Sequence, residues 1–255
     1  MTAKNQPSTD PAFPIHPADF LLHEVSARRA SLHRVAIETR RLIDALIASP
    51  ASEEQLMAAA AAIVSVVERL PLRPPGMSAR LTSEASLTDG HGVAFLDYSP
   101  IIGLANPVAL PVTLRFVGDH VEGLSTFTAA YEGPPGHVHG GWIAAAFDEV
   151  LGMVQTFSGA PGMTGRLSIN YRSPTPLDTP LRWEGTMDRV DGRKIYTSGR
   201  VFNADTGTLL AEAEGLFISV DFGRFTSEMA PPGFAAHVPP GNPTNPNPSE
   251  TAEPA

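Results

Sequence analysis

The stretch GPPGHVHGGWIAAAFDEVLG, residues 133–152, joins a turn-rich run of glycine, proline and histidine to a run with the character of a buried helix. From Gly140 onward the residues are apolar on nearly every side of a helix, yet Asp148 and Glu149 stand in its middle. Burying an unpaired carboxylate is costly, and such groups concentrate at functional sites. The stretch therefore predicts either an active site or a narrow wet stripe on the helix, and periodicity leaves both open.

The start of this helix is suited to a negatively charged oxygen. Gly140 and Gly141 leave the first N–H groups unshielded by side chains, and a helix N-terminus carries partial positive charge. With a carboxylate two turns further along, these are the components of acyl transfer to water: a base or nucleophile, and donors for an oxyanion. The two glycines could instead serve close packing where the chain enters a sheet.

Extended segments precede and follow the helix predicted over residues 140–157. Their β-branched and aromatic residues are parted by short turns, which favour antiparallel neighbours. The segments are residues 112–118, 120–127, 165–173, 181–190, 194–204 and 208–222. A single apolar helix among such strands must be wrapped by their sheet. The predicted class is α+β: an antiparallel sheet wrapped around one long central helix, with a helical hairpin ahead of it.

Periodicity and composition divide the chain into five sections. The hairpin, residues 19–70, contains a capping box at Ser52 and Gln55 and an apolar stripe formed by Leu32, Val35, Ala36, Ile43, Leu46 and Ile47. The sheet and central helix occupy residues 85–225, although residues 77–110 could be strand or loop. The proline-rich ends, 1–18 and 226–255, are predicted to be disordered, with 71–84 as a linker.

Composition excludes several classes of function. A formal charge of −9 with scattered Lys and Arg argues against a nucleic-acid partner. The chain has no cysteine, which removes thiolate nucleophiles and cysteine metal sites. It shows neither a long apolar run nor a secretion signal, so we expect no membrane partner and a cytoplasmic location. The glycines fit no nucleotide-binding motif, and no Gly-x-Ser-x-Gly is present.

The run HGGWIAAAFDEVLG resembles the signature of the hotdog-fold acyl-CoA thioesterases of the PaaI-like group. In that signature His-Gly-Gly opens the central helix and a catalytic Asp follows nine residues after the His, as Asp148 follows His139 here. APGMTGRLSINYRSP is similar to the next strand of these enzymes, including the Ser-Pro at its end, Ser173 and Pro174. The resemblance covers roughly residues 85–222 and implies a hotdog fold.

The resemblance also implies roles for individual residues. Asp148 would be general base or nucleophile, the amide of Gly140 would hold the thioester oxygen with Gly141 as a helper, and Thr164 of a neighbouring subunit would position water. His139 belongs to the same catalytic group and shapes the entry to the helix. The chain departs from members that carry Asn six residues before the His, because Gly133 occupies that position.

Further residues are candidates for binding the substrate. His137 would lie at the mouth of the pocket, Trp142 could line an acyl tunnel, and Ser173 closes the strand motif. Arg172, Arg193 and Lys194 could meet the phosphates of coenzyme A, although solvated strand or turn charges are the more common explanation. Core packing would explain Trp142 equally well. The His137-Val138-His139 run could suggest a metal site, but no acidic third ligand is close in sequence, so no metal is predicted.

The resulting hypothesis is a thioesterase that hydrolyses acyl-CoA without a cofactor, working as a dimer or a dimer of dimers with active sites at the subunit interface. Two alternatives stay open. The same fold supports hydration or dehydration of acyl-CoA by an Asp and a His, and His139 is adjacent. The chain could also be a non-catalytic acyl-CoA-binding or regulatory module.

Overall fold

The computed structural model describes residues 26–72, 97–160 and 162–220. The predicted disordered ends and residues 73–84 of the predicted linker lie outside these ranges. The division of the chain into five sections therefore stays a prediction.

Three α-helices and six strands are the main elements of the described part of the chain, which also has a short 3-10 helix at Ala129–Tyr131. The helices are α1 (Ala27–Ile47), α2 (Glu53–Val67) and α3 (Gly140–Val154), and a short 3-10 helix, Gln155–Ser158, continues α3. The strands are β1 (Val112–Val117), β2 (His120–Ser125), β3 (Gly162–Tyr171), β4 (Leu181–Asp191), β5 (Lys194–Asn203) and β6 (Leu209–Ser219). The strands and the central helix coincide with the predicted segments to within a few residues. No strand occurs in the described residues 97–111, where the prediction was open.

The six strands form one antiparallel sheet in the order β1-β2-β4-β5-β6-β3. Helix α3 packs against one face of it and contacts β2, β3, β4, β5 and β6. The short turns between β4 and β5 and between β5 and β6 account for the antiparallel order. A long helix packed against one antiparallel sheet is the hotdog architecture, as predicted.

The core lies between α3 and the face of the sheet that it contacts. Phe147 of α3 meets Trp183 of β4 edge to face at 5.0 Å between ring centroids, and both side chains are fully buried. The indole N–H of Trp183 donates to the Ser125 hydroxyl at 2.9 Å, so its one polar group is satisfied inside the core. Phe147 and Met153 of α3 both belong to this core.

Helix α1 is attached through polar side chains rather than through its predicted apolar stripe. Within that stripe only Ala36 is buried, and Val35, Ile43, Leu46 and Ile47 are exposed. Arg29 and His33 contact the carboxylate of Asp97 at 2.9 and 2.7 Å, and the guanidinium of Arg40 donates to the carbonyls of residues 103, 104 and 106. The predicted apolar stripe is therefore largely exposed within the described part of the chain.

Helix α2 begins with the predicted capping box. The Ser52 hydroxyl accepts from the Gln55 N–H at 3.3 Å, and the Gln55 side chain accepts from the Ser52 N–H at 2.9 Å. No residue of α2 is buried within the described part of the chain.

The Asp97 cluster predicts a measurable contribution to stability. The Asp97 side chain is 5% exposed, pairs with the Arg29 guanidinium and contacts the His33 imidazole, so Asp97→Asn would leave Arg29 without its counter-charge. We expect the free energy of unfolding, measured by chemical denaturation, to fall by about 2–4 kcal/mol. The control is Glu38→Gln, which removes two exposed ion pairs within α1 and should cost less than about 1 kcal/mol. Equal effects of the two changes would contradict the assignment.

Candidate active site

A fixed turn leads the chain into α3. Pro134 and Pro135 are followed by Gly136 with φ of +74°, a left-handed conformation that glycine adopts without strain. The His137 N–H donates to the Pro134 carbonyl at 2.9 Å and closes the turn. The Val138 N–H then donates to Thr175 O at 2.8 Å, which ties the segment to the chain that follows β3. The start of α3 is therefore held in place from outside the helix.

His139 is the N-cap residue of α3. Its backbone is extended, and its Nδ1 accepts a hydrogen bond from the Gly141 N–H at 3.0 Å. Among the described residues none accepts a hydrogen bond from the N–H of Gly140. Gly140 therefore presents an open donor at the helix start, and its role at the thioester oxygen stays a prediction. The N–H of Gly141 is occupied, so its predicted role as a helper is not supported by this geometry.

One side of α3 is open in the single chain. Asp148 and Gly141 are exposed, and the small residues Ala144, Ala145 and Gly152 on the same side are partly exposed. The expectation of a helix buried on all sides was wrong, because the sheet of its own chain covers only the opposite face. Asp148 lies on this open stripe, whereas the neighbouring Glu149 is partly buried.

A β-bulge places Thr164 against Asp148. The Thr164 hydroxyl donates to Asp148 Oδ1 at 2.7 Å. The register of β3 against β6 shifts between Thr164 and Arg166, which turns Thr164 to the helix side of the sheet. A side chain at the intervening Gly165 would crowd Ile218, at 3.1 Å. Thr164 thus contacts the Asp148 of its own chain, and its expected role in positioning water stays a prediction.

Tyr171 is a site residue that the sequence analysis did not identify. Its hydroxyl donates to the Gly140 carbonyl at 2.8 Å, and its ring lies against Gly140. Because β3 runs antiparallel to α3, Thr164 meets the Asp148 turn of the helix and Tyr171 meets its first turn. Tyr171 ends the TGRLSINY segment and lies two residues before the predicted Ser173. This position was the available indication in the sequence.

Trp142 lies on the first turn of α3 and packs inward. Its ring meets Tyr131 edge to face at 5.6 Å, and it borders the core. Burial raises the pKa of Tyr131, the Asp44 carboxylate of α1 raises it further, and Arg40 opposes both effects. The Thr128 hydroxyl also donates to Asp44, at 2.6 Å. Helix α1 therefore contacts and stabilises residues 128–131, which precede the site in the chain.

The predicted basic residues lie at opposite ends of the sheet. Arg172 follows β3, next to Tyr171, and pairs with Glu212. Arg193 lies in the turn between β4 and β5, where its guanidinium donates to the Ser219 carbonyl at 3.0 and 3.1 Å, and the adjoining Lys194 is exposed. Lys194 and Arg193 therefore share the Thr164 end of β3, whereas Arg172 shares the Gly140 end.

The remaining candidates flank the start of α3. His137 is partly buried, and its Nδ1 lies 2.9 Å from the Pro135 carbonyl. The Ser173 N–H donates to Leu210 O at 3.0 Å, which ends the pairing of β3 with β6. In the described ranges no three His, Asp or Glu side chains are grouped so as to hold a metal ion. None of the helices described here has the length and apolarity to cross a membrane.

Comparisons with known proteins give one consistent result. The thioesterase superfamily model matches residues 135–210. A crystal structure of a thioesterase superfamily protein has 36% sequence identity and a TM-score of 0.65, and the match covers 77% of this chain and 92% of that one. Acyl-coenzyme A thioesterase THEM4 of Bos taurus is 39% identical over 90 residues, which are 35% of this chain and 37% of that protein. Acyl-coenzyme A thioesterase THEM5 of Homo sapiens is 30% identical over 89 residues. The matches therefore span under two fifths of these curated relatives.

Proposed function

The chain belongs to the thioesterase superfamily, and from this premise we propose that it hydrolyses acyl-CoA thioesters to the free acid and coenzyme A. The observation that carries the proposal is the pair formed by Asp148 and Thr164 on the open stripe of α3, together with the unoccupied N–H of Gly140 at the helix start. These are a base and an oxyanion donor.

In the proposed reaction Asp148 activates water. The Thr164 hydroxyl holds Oδ1, which leaves Oδ2 to accept a proton from the water that attacks the thioester carbon. The carbonyl oxygen becomes an oxyanion at the Gly140 N–H, where the helix dipole also favours negative charge. Collapse of this intermediate breaks the carbon–sulfur bond, and the proton held by Asp148 passes to the departing thiolate.

Helix geometry favours a site made from two chains. Backbone N–H groups point toward the N-terminus of a helix, so the Gly140 N–H points away from Asp148 of the same helix. The two residues are also about 12 Å apart along the axis. An oxyanion bound by Gly140 is therefore out of reach of the Asp148 on its own chain.

The free edge of β3 offers a way to bring two chains together. β3 lies at an edge of the sheet, and most of its residues are exposed. A long unpaired edge is a template for pairing with another strand. When a strand pairs antiparallel with its own copy across a two-fold axis, its start faces the end of the copy. The Thr164 and Asp148 of one chain would then adjoin the Tyr171 and Gly140 of the other.

The two-fold pairing of β3 would also bring the predicted basic residues of the two chains close together. Arg193 and Lys194 share the Thr164 end of β3, and Arg172 shares the Tyr171 end, so a two-fold pairing places them around one site. Basic groups from both chains would then meet the phosphates of a single coenzyme A. We propose a dimer, or a dimer of dimers, on this basis.

The proposed function is tested by following thiol release from a panel of acyl-CoA thioesters of different chain length and aromaticity. The chain contributes no background to a thiol reagent, because it has no cysteine. Release of one thiol per acid formed is expected. If an enoyl-CoA loses the absorbance of its conjugated double bond without thiol release, the chain is a hydratase instead. Saturable binding without any turnover would indicate a binding module.

Gly140→Pro tests the oxyanion donor. Proline removes the N–H but suits the first position of a helix, and His139 before it has the extended conformation that a following proline requires, with φ of −62° and ψ of 131°. We expect kcat to fall by roughly 10²–10³ with the melting temperature unchanged.

Gly140→Ala is the matched control for this change. It keeps the N–H, and its added carbon would lie in ordinary contact with Tyr171, at 3.4 Å. Activity that survives Gly140→Pro would show that the oxyanion is held elsewhere.

A further inference from the structure

The imidazole of His139 lies in a slot between two glycines. A side-chain carbon added to Gly133 would lie 2.7 Å from His139 Cα and 3.2 Å from its Cδ2. One added to Gly141 would lie 3.0 Å from Nδ1 and 3.2 Å from Cε1. Both edges of the ring are thus enclosed by residues without side chains. The tip of the ring, at Nε2, is left free, and His139 as a whole is exposed.

The hydrogen bond from Gly141 fixes the tautomer of this ring. Nδ1 accepts the Gly141 N–H, so it carries no proton. A neutral imidazole has one N–H, which must then be at Nε2. The described residues provide no acceptor for this Nε2–H. His139 therefore points an unused donor out of the slot.

The peptide between Gly140 and Gly141 is held at both of its polar atoms. Its N–H donates to His139 Nδ1 at 3.0 Å, and its carbonyl accepts from the Tyr171 hydroxyl at 2.8 Å. A peptide between two glycines has wide conformational freedom, which these two side chains restrict. The preceding N–H, that of Gly140, is thereby held in one direction beside the His139 side chain.

We propose that His139 Nε2–H is a second donor to the thioester oxygen, acting beside the Gly140 N–H, and that Tyr171 is the residue that positions both. This inference rests on the proposed hydrolysis and adds a catalytic group to it. The imidazole transfers no proton; it only donates a hydrogen bond to the oxyanion as negative charge develops. Two donors on one oxygen make an oxyanion site that is complete without a side chain at position 133.

His139→Ser separates this role from helix capping. Serine is among the best N-cap residues and can accept from the same turn of backbone, but it has no donor that reaches the position of Nε2. We expect the melting temperature to be retained within a few degrees and kcat to fall by roughly 10²-fold. The control is His120→Ser on the outer face of β2, which should retain full activity. Activity of His139→Ser within about threefold of the parent would overturn the proposal.

The tautomer can be measured independently of turnover. With ¹⁵N-labelled histidine, long-range nitrogen–proton spectra should show His139 protonated at Nε2, the signal being assigned by its absence in His139→Ser. An acyl-CoA ketone analogue, with methylene in place of the thioester sulfur, should shift that Nε2 resonance. A proton on Nδ1, or no shift on binding, would overturn the donor role. A parent chain without thiol release contradicts the proposed hydrolysis, and the two spectra still decide whether His139 is a donor.

Tyr171→Phe tests the positioning role. It keeps the ring against Gly140 and removes only the hydroxyl. We expect kcat to fall roughly 5–10-fold with KM nearly unchanged, as for the loss of one neutral hydrogen bond that orients a donor. Tyr196→Phe on the outer face of β5 is the control. A rise in KM at constant kcat would contradict positioning and would place Tyr171 in substrate binding.

Discussion

Asp148→Asn is expected to lower kcat for acyl-CoA hydrolysis by roughly 10³-fold while the protein stays folded. The amide has the shape of the carboxylate and can still accept from the Thr164 hydroxyl, so the local structure is kept. It cannot take a proton from water. Because the amide keeps both the shape of the side chain and the hydrogen bond from Thr164, the change should alter the melting temperature little. The measurement is steady-state thiol release together with thermal unfolding.

The matched control is Asp188→Asn. Asp188 is also exposed and also accepts one hydroxyl hydrogen bond, from Ser198 at 2.8 Å, but it lies away from α3. It should retain the activity of the parent. Equal losses in both variants would show that the effect of Asp148→Asn is not catalytic. A single turnover in ¹⁸O-labelled water then separates base from nucleophile, because only a nucleophilic Asp148 would acquire the label.

The centre of the site was predictable because its chemistry is local in sequence. The helix start, the glycine pair and Asp148 lie within one short segment, and the strand pattern around it is regular. What hydropathy could not reveal is the open side of α3. Small apolar residues such as Gly141, Ala144 and Ala145 are equally expected under the sheet of their own chain and under a second chain. A pattern of small apolar residues predicts contact, but it does not say with what.

The positions of Thr164 and Tyr171 depend on a feature that strict alternation misses. Residues an odd number of positions apart on a regular strand face opposite sides of the sheet. Thr164 and Tyr171 both face α3 because the bulge at Gly165 inserts one residue between them. The glycine inside a strand was the available signal. Because of this bulge, regular strand alternation did not point to Tyr171, and Thr164 was predicted only through the resemblance.

The attachment of α1 could not be predicted from its own periodicity either. Its contacts are made by Arg29, His33 and Arg40 with Asp97 and with backbone carbonyls far away in sequence. Partners of this kind are set by tertiary geometry, and charged residues on a helix usually predict a solvated face. The exposed apolar residues of α1 show that hydrophobic periodicity was a poor guide to burial here.

The two-chain site makes a prediction that separates it from any site within one chain. If Asp148 of one subunit acts with Gly140 of the other, a mixed dimer of Asp148→Asn and Gly140→Pro chains contains one site with both defects and one site with neither. It should recover about half of the parent activity, although each variant alone is nearly inactive. Co-expression with two different affinity tags, and purification over both, isolates the mixed species.

The reciprocal mixture completes the test. A chain carrying both substitutions, paired with the parent chain, places one defect in each of the two sites, so a two-chain site predicts almost no activity. A site built within one chain predicts the reverse: no recovery in the first mixture, and about half of the parent activity in the second, because the parent subunit would be complete by itself. A two-chain site thus predicts activity only in the first mixture, and a one-chain site predicts activity only in the second. Loss of subunit association cannot imitate the two-chain result, since separated variant chains would each stay inactive.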